Sequence, residues 1–206
     1  MCVFFKNPSY GFENLSFVLE TERLSLYSCS SEDFSLLLPL LSNPVVTRHY
    51  SEEGKPLSPE QIARKVAKWT TLWKMGELSG ITVFLDSGTF IGHVGLDSQE
   101  RGTLWISYAF KPEYWGNGYG TEAIQAVVKR ILPEALSSNY HVQGEPIRKL
   151  VTKVSMANLA SVRILERAGM KKTGESRGIF QSYELNFSIQ TPGIPLSLLL
   201  SKKPKP

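Results

Sequence analysis

Gly116, Gly118 and Gly120 stand at every second position between a stretch that reads as a strand and one that reads as a helix, and few folds accommodate that succession. Upstream, Leu104, Ile106, Tyr108 and Phe110 alternate with Trp105, Ser107 and Ala109, the period of a strand weighted toward aromatic and β-branched residues. Lys111-Pro112 closes that ladder. Downstream, Ile124, Val127, Val128 and Ile131 recur on one helical face, and Pro133 is expected to end the period. The turn therefore feeds a helix N-terminus, whose first N–H groups lack intrahelical partners and carry the positive end of the dipole. Glycines ahead of those amides tolerate φ > 0 and remove the Cβ atoms that would hold an anion away. A diphosphate fits such a turn; a glycine-rich connection without a ligand is the competing reading. The spacing is neither that of a P-loop nor that of the dinucleotide fingerprint G-x-G-x-x-G.

Composition narrows the class. A chain of 206 residues with 42% hydrophobic and 11% aromatic residues suits one globular domain with a buried core. The net charge of +4 is mild and mostly scattered, which suits an anionic cofactor; no direct nucleic-acid binding is expected. Two cysteines, Cys2 and Cys29, exclude a disulfide scaffold and favour a reducing, cytoplasmic setting. The N-terminus does not read as a signal peptide, and the apolar run Leu196 to Leu200 is too short to span a bilayer, so no membrane role is expected. Three histidines and two cysteines show no ligand spacing, so no metal site is expected.

Along the chain, residues 1–16 read as an irregular arm, 17–190 as the folded domain and 191–206 as a flexible tail. Leu24 and Leu26 mark a first strand, and Phe34, Leu37, Leu38 and Leu41 a short helix capped by Ser30 or Ser31 and weakened by Pro39. Ser58 and Gln61 form a capping-box signature with Pro59 at the first helical position, after which Ile62, Val66, Trp69 and Trp73 keep one stripe. Core packing is the ordinary reading for the two tryptophans. Strands follow at Ile81–Leu85 and Phe90–Leu96, around the compact turn Asp86-Ser87-Gly88-Thr89. The stretch SSNYHVQGEPIRK reads as a polar loop, then a strand through Leu150, Thr152 and Val154, a helix closed by Gly169, and strands at Met170–Thr173 and Ile179–Phe187.

The segment YAFKPEYWGNGYGTEA resembles motif A of the GNAT superfamily of acetyl-CoA-dependent N-acetyltransferases, in the version of the Rim-type branch that acetylates ribosomal-protein N-termini. Trp115, Gly116, Asn117, Gly118, Tyr119 and Gly120 stand where the superfamily has Gln/Arg-x-x-Gly-x-Gly/Ala, with the tryptophan common in that branch. Asn158-x-x-Ser161-x-x-x-Leu165-Glu166-x-x-Gly169 resembles its motif B, and Glu20-Thr21-Glu22-Arg23-Leu24 its opening strand. The resemblance spans roughly residues 19–187. It implies a single mixed α/β (α+β) GNAT fold, whose mostly antiparallel central sheet opens into a V beside the motif-A strand. It further implies acetyl-CoA as co-substrate, held by residues 116–121, with Thr121 last, by the backbone at Ala109 and Phe110, and by Asn158 along the pantetheine arm.

The implied reaction moves an acetyl group to a primary amine, most readily a protein α-amino group. Such an amine attacks only when unprotonated, and the departing thiolate needs a proton. Many relatives use a strand glutamate as base where this chain has Trp105, and a motif-B tyrosine as acid where it has Leu165. Rim-type relatives offer a serine, which makes Ser161 the candidate acid; a helix-interior hydroxyl bonded to its own backbone is the alternative. His93 is the candidate base, with a structural histidine as the alternative. Residues 43–75 are expected to line the acceptor side. The rival acceptors are an aminoglycoside or polyamine, for which Glu52 and Glu53 would supply negative charge, and the rival class is a CoA-binding module without turnover. A monomer or a homodimer is expected.

Overall fold

The computed structural model describes residues 18–51 and 53–187, so the arm at 1–16, Glu52 and the tail at 191–206 lie outside the described residues. Eight strands form one sheet in the order β1-β2-β3-β4-β5-β8-β10-β9. They are β1 (Val18–Glu20), β2 (Leu24–Ser28), β3 (Ile81–Leu85), β4 (Phe90–Glu100), β5 (Thr103–Phe110), β8 (Lys149–Ser155), β9 (Lys171–Arg177) and β10 (Phe180–Asn186). Every neighbouring pair is antiparallel except β5 with β8. This is the mixed, mostly antiparallel α/β sheet expected from the motifs.

Helices cover both faces. Against one lie α4 (Tyr119–Ala126), a π-helical segment (Val127–Ile131) and α5 (Leu132–Ser137), with α6 (Leu159–Arg167) beside α4. The strand residues Leu24, Leu26, Ile81, Val83, Val94, Leu96, Leu104 and Ile106 meet Ile124, Val127, Ile131, Leu132 and Leu165 there as one buried core. Against the other face lie α1 (Phe34–Leu41), α2 (Pro44–Thr47) and α3 (Pro59–Lys74), whose Leu37, Leu41, Ile62, Val66 and Trp69 pack with Phe90 and Ala109. Strand alternation sends neighbouring residues of β5 into different cores. The α3 capping box is formed: the Gln61 N–H donates to Ser58 Oγ at 3.3 Å, and the Ser58 N–H donates to Gln61 Oε1 at 2.8 Å.

Three expectations are corrected. The first strand is a hairpin, because the Thr21 N–H donates to the Leu24 carbonyl at 2.8 Å and turns β1 onto β2. Pro133 does not end the motif-A helix. It sits in the first turn of α5, where a missing N–H costs nothing, and the π segment ahead of it closes with the Leu132 N–H on the Val127 carbonyl. The polar loop after α5 contains a small hairpin, β6 (His141–Val142) with β7 (Glu145–Pro146). It is pinned by Val142, which is buried, and by the Leu78 N–H donating to the Tyr140 hydroxyl at 2.7 Å.

Candidate active site

Strands β5 and β8 pair only at Thr103–Trp105 with Lys149–Val151, and then diverge while β5 stays on β4 as far as Phe110 with Gly92. From Ile106 onward β5 therefore has an edge without a strand partner inside the sheet, the expected V. The Lys111 N–H donates to the Ile91 carbonyl at 2.8 Å, so by strand alternation the peptide groups of Phe110 face the opening. The Phe110 carbonyl is taken by the Trp115 indole N–H at 2.8 Å, which leaves the Phe110 N–H as the available donor. Trp115 thus fastens the start of the glycine turn to the end of the strand.

In that turn Gly116 has φ 80° and Gly118, the N-cap of α4, φ 84°. Both lie in the left-handed region that side chains disfavour. A Cβ at Gly116 would meet nothing within 4 Å, so the turn faces open space. The first intrahelical bond is the Glu122 N–H to the Gly118 carbonyl at 3.0 Å, and the amides of Tyr119, Gly120 and Thr121 precede it. Open space, two left-handed glycines and three unspent helix amides fit a diphosphate. Gly120 has a different reason for lacking a side chain: a Cβ there would stand 2.9 Å from Ile164 Cδ1, so it sets the approach of α6 to α4.

Arg23, whose part in the site the sequence reading did not recognise, organises the turn from outside. Its guanidinium donates from Nη1 to the Asn117 carbonyl at 3.1 Å and from Nε to Glu122 Oε2 at 2.8 Å, and lies 4.7 Å from the centre of the Tyr119 ring. Thr21 Oγ1 donates to Glu122 Oε1 at 2.6 Å. Burial pushes the Glu122 carboxyl up, but these hydrogen bonds and the adjacent guanidinium outweigh it and hold the group below the ordinary glutamate range. The ion pair neutralises a carboxylate that would otherwise repel an anion at the helix end.

Across the opening, Asn158 caps α6 by accepting from the Ser161 N–H at 3.1 Å. Tyr108, on β5, reaches α6, and its phenol donates to the Ser161 carbonyl at 3.3 Å with the Ser161 hydroxyl alongside. Burial raises the phenol well above the ordinary tyrosine range, so it is protonated at neutral pH. Among the described residues no hydrogen bond runs from Ser161 Oγ back to a helix carbonyl. The sequence signal for Tyr108 was its shared face with Phe110.

His93 faces the α1–α3 side of the sheet, opposite Ala109 in register. It is fully buried, 5.3 Å from the Tyr50 ring and 5.1 Å from the Trp69 ring. Burial, helped by the nearby Lys65 cation, lowers its pKa to about 3. A group so reluctant to take a proton is poorly suited to remove one from an alkylammonium. Glu53, expected to offer negative charge to an acceptor, is paired with Lys55 at 2.9 Å, and both are exposed.

Comparison with known proteins agrees with this geometry. Residues 23–171 match the acetyltransferase (GNAT) domain. The chain is 29% identical over 165 residues to the uncharacterized N-acetyltransferase YoaA of Bacillus subtilis, covering 78% of this chain and 86% of that protein. It is 25% identical over 170 residues to the uncharacterized N-acetyltransferase p20 of Bacillus licheniformis, covering 81% and 86%. Among solved structures, RimL, a ribosomal L7/L12 α-N-protein acetyltransferase in complex with coenzyme A, superposes with a TM-score of 0.67 at 15% identity, covering 84% of this chain and all of RimL. A GNAT-family acetyltransferase from Bacillus anthracis does so with a TM-score of 0.63 at 22% identity, covering 82% and 96%. Matched over most of its length in sequence and in fold, the chain belongs to the GNAT family of N-acetyltransferases, which move an acetyl group from acetyl-CoA to an amine.

Proposed function

We propose that this chain acetylates protein N-terminal α-amino groups, with an acceptor of the kind that Rim-type enzymes use. The observation that carries the reading is the splayed β5 edge ending in the Trp115-fastened glycine turn, with Ser161 and Tyr108 facing it from α6 and β5. Support for the acceptor class comes from motif A, with tryptophan at 115, and from structural neighbours described as acting on ribosomal L7/L12 and on ribosomal protein S5. A cytoplasmic setting is consistent with so few cysteines.

Acetyl-CoA supplies the activated acetyl thioester. The amides of residues 116–121 would hold its diphosphate, and the β5 edge at Phe110, with Asn158 opposite, its pantetheine arm; the peptide groups of Ala109, expected to share that edge, are turned toward β4. The Phe110 N–H would donate to the thioester oxygen. Ser161, beside the protonated Tyr108, would return a proton to sulfur. His93 holds the acceptor wall as a neutral imidazole, and the amine's proton leaves through water. Holding amine and thioester together then supplies most of the acceleration. Incubation with acetyl-CoA and a panel of peptides, ribosomal proteins and polyamines, read by mass spectrometry, tests this. Acetylated α-amino termini are expected; label only on polyamines would overturn the acceptor, and CoA binding without turnover on any amine would make the chain a binding module.

A further inference from the structure

Among the described residues three buried side-chain polar atoms without a hydrogen-bond partner lie in one cluster, Trp69 Nε1 and both nitrogens of His93, next to the Tyr50 hydroxyl, which reaches Ser107. Buried polar atoms are nearly always partnered, by protein or by ordered water. The three residues come from the segment after α2, from α3 and from β4, and Lys65 lies over two of their rings. Its ammonium lies 4.9 Å from the centre of the Trp69 ring and 5.7 Å from that of Tyr50, the two rings that also flank His93.

Lys65 is half-buried and makes no ion pair among the described residues. The nearest carboxylate to influence it is Asp97, and that group is already committed to Lys68 at 2.5 Å. The other groups facing the cluster are neutral: Ser107, beside the Tyr50 hydroxyl, and Thr82, paired in register with His93. A cation withdrawn from water without a counter-charge is unfavourable, and its pKa is lowered by that burial. Two aromatic faces compensate only in part. The cluster is thus rich in donors, carries one uncompensated positive charge, and sits on the sheet face opposite the α4–α6 layer.

We propose that Tyr50, Lys65, Trp69 and His93 form the acceptor-recognition site, and that Lys65 selects an acceptor bearing a carboxylate within a residue or two of its reactive amine. The proposal rests on the acetyl-transfer reading and names its acceptor: an acidic peptide N-terminus rather than a polyamine or aminoglycoside. A polycation would meet Lys65 as a like charge. Lys65, the half-buried member, meets the side-chain carboxylate, while the Tyr50 and Trp69 rings hold its ammonium in place and His93 backs them from the core.

The test uses full-length protein and matched peptides beginning Ser-Asp, Ser-Asn and Ser-Lys, with spermidine as the polycation. Wild type should favour Ser-Asp over Ser-Lys by roughly tenfold or more in kcat/KM, the scale of one partly screened charge contact. Lys65→Met keeps the apolar stem against both rings and should reduce that preference to about twofold, whereas Lys65→Glu should invert it. Equal rates for Ser-Asp and Ser-Lys, or a preference that survives both substitutions, would overturn the proposal while leaving acetyl transfer standing. Calorimetry on the CoA-bound protein separates the two ideas. Ser-Asp binding that is lost in Lys65→Glu, with no peptide acetylated, would sustain the anion site and overturn the transferase reading; failure of Ser-Asp to bind would overturn the site.

Discussion

A histidine enclosed by Tyr50 and Trp69 couples folding to pH. His93 has a folded pKa of about 3, against 6.5 for an ordinary histidine, so between those values the unfolded chain holds the extra proton. Its contribution to stability is complete above pH 6.5 and is lost as pH falls toward 3, at about 1.4 kcal/mol per pH unit. Replacing His93 by Leu should therefore flatten the loss of stability between pH 6.5 and 4.5, measured by denaturant midpoints; equal slopes in both proteins would refute a buried neutral imidazole. No kinetic limb near pH 6.5 should vanish with it. Ser161 and Tyr108 should behave differently. Ser161→Ala is expected to lower kcat about ten- to a hundredfold with acetyl-CoA affinity nearly intact, because its hydroxyl acts as charge grows on sulfur. Tyr108→Phe should lower kcat too, and the double variant should fall short of the product of the two effects, since the groups touch. Strict multiplicativity would show that they act separately.

Among the elements, the glycine turn depends on a strand that is distant in sequence. Arg23 reaches from the β1–β2 turn to the Asn117 carbonyl and to Glu122 in the first turn of α4. Arg23→Ala should weaken acetyl-CoA and ADP alike, by about tenfold for one exposed charge-assisted contact, while acetyl-pantetheine, which lacks the diphosphate, is unaffected. Calorimetry showing equal loss for all three would mean that the whole opening had collapsed. The strand, turn and helix were legible because their periods are local. The β1–β2 hairpin was hidden because Glu20-Thr21-Glu22-Arg23 carries no glycine, proline or asparagine to mark a turn, and the π segment because the hydrophobic spacing of Val127, Val128 and Ile131 reads the same in either helix.

For the whole molecule, a cofactor that binds only the folded state must stabilise it. Acetyl-CoA at a hundredfold excess over its Kd should add roughly 2.7 kcal/mol, seen as a rise in Tm. The same gain from adenosine alone would rule out recognition through the diphosphate and pantetheine. By itself the sequence determined the order of most elements, since capping boxes and hydrophobic periods are properties of neighbouring residues, and its resemblance to the GNAT motifs pointed to the family. The tertiary structure decided which distant groups meet: Arg23 with Glu122, Tyr108 with Ser161, and Lys65 with the ring pair around His93. It also decided the ionisation of His93, because a pKa is set by burial and neighbouring charge, and both arise only when α3 closes over the sheet.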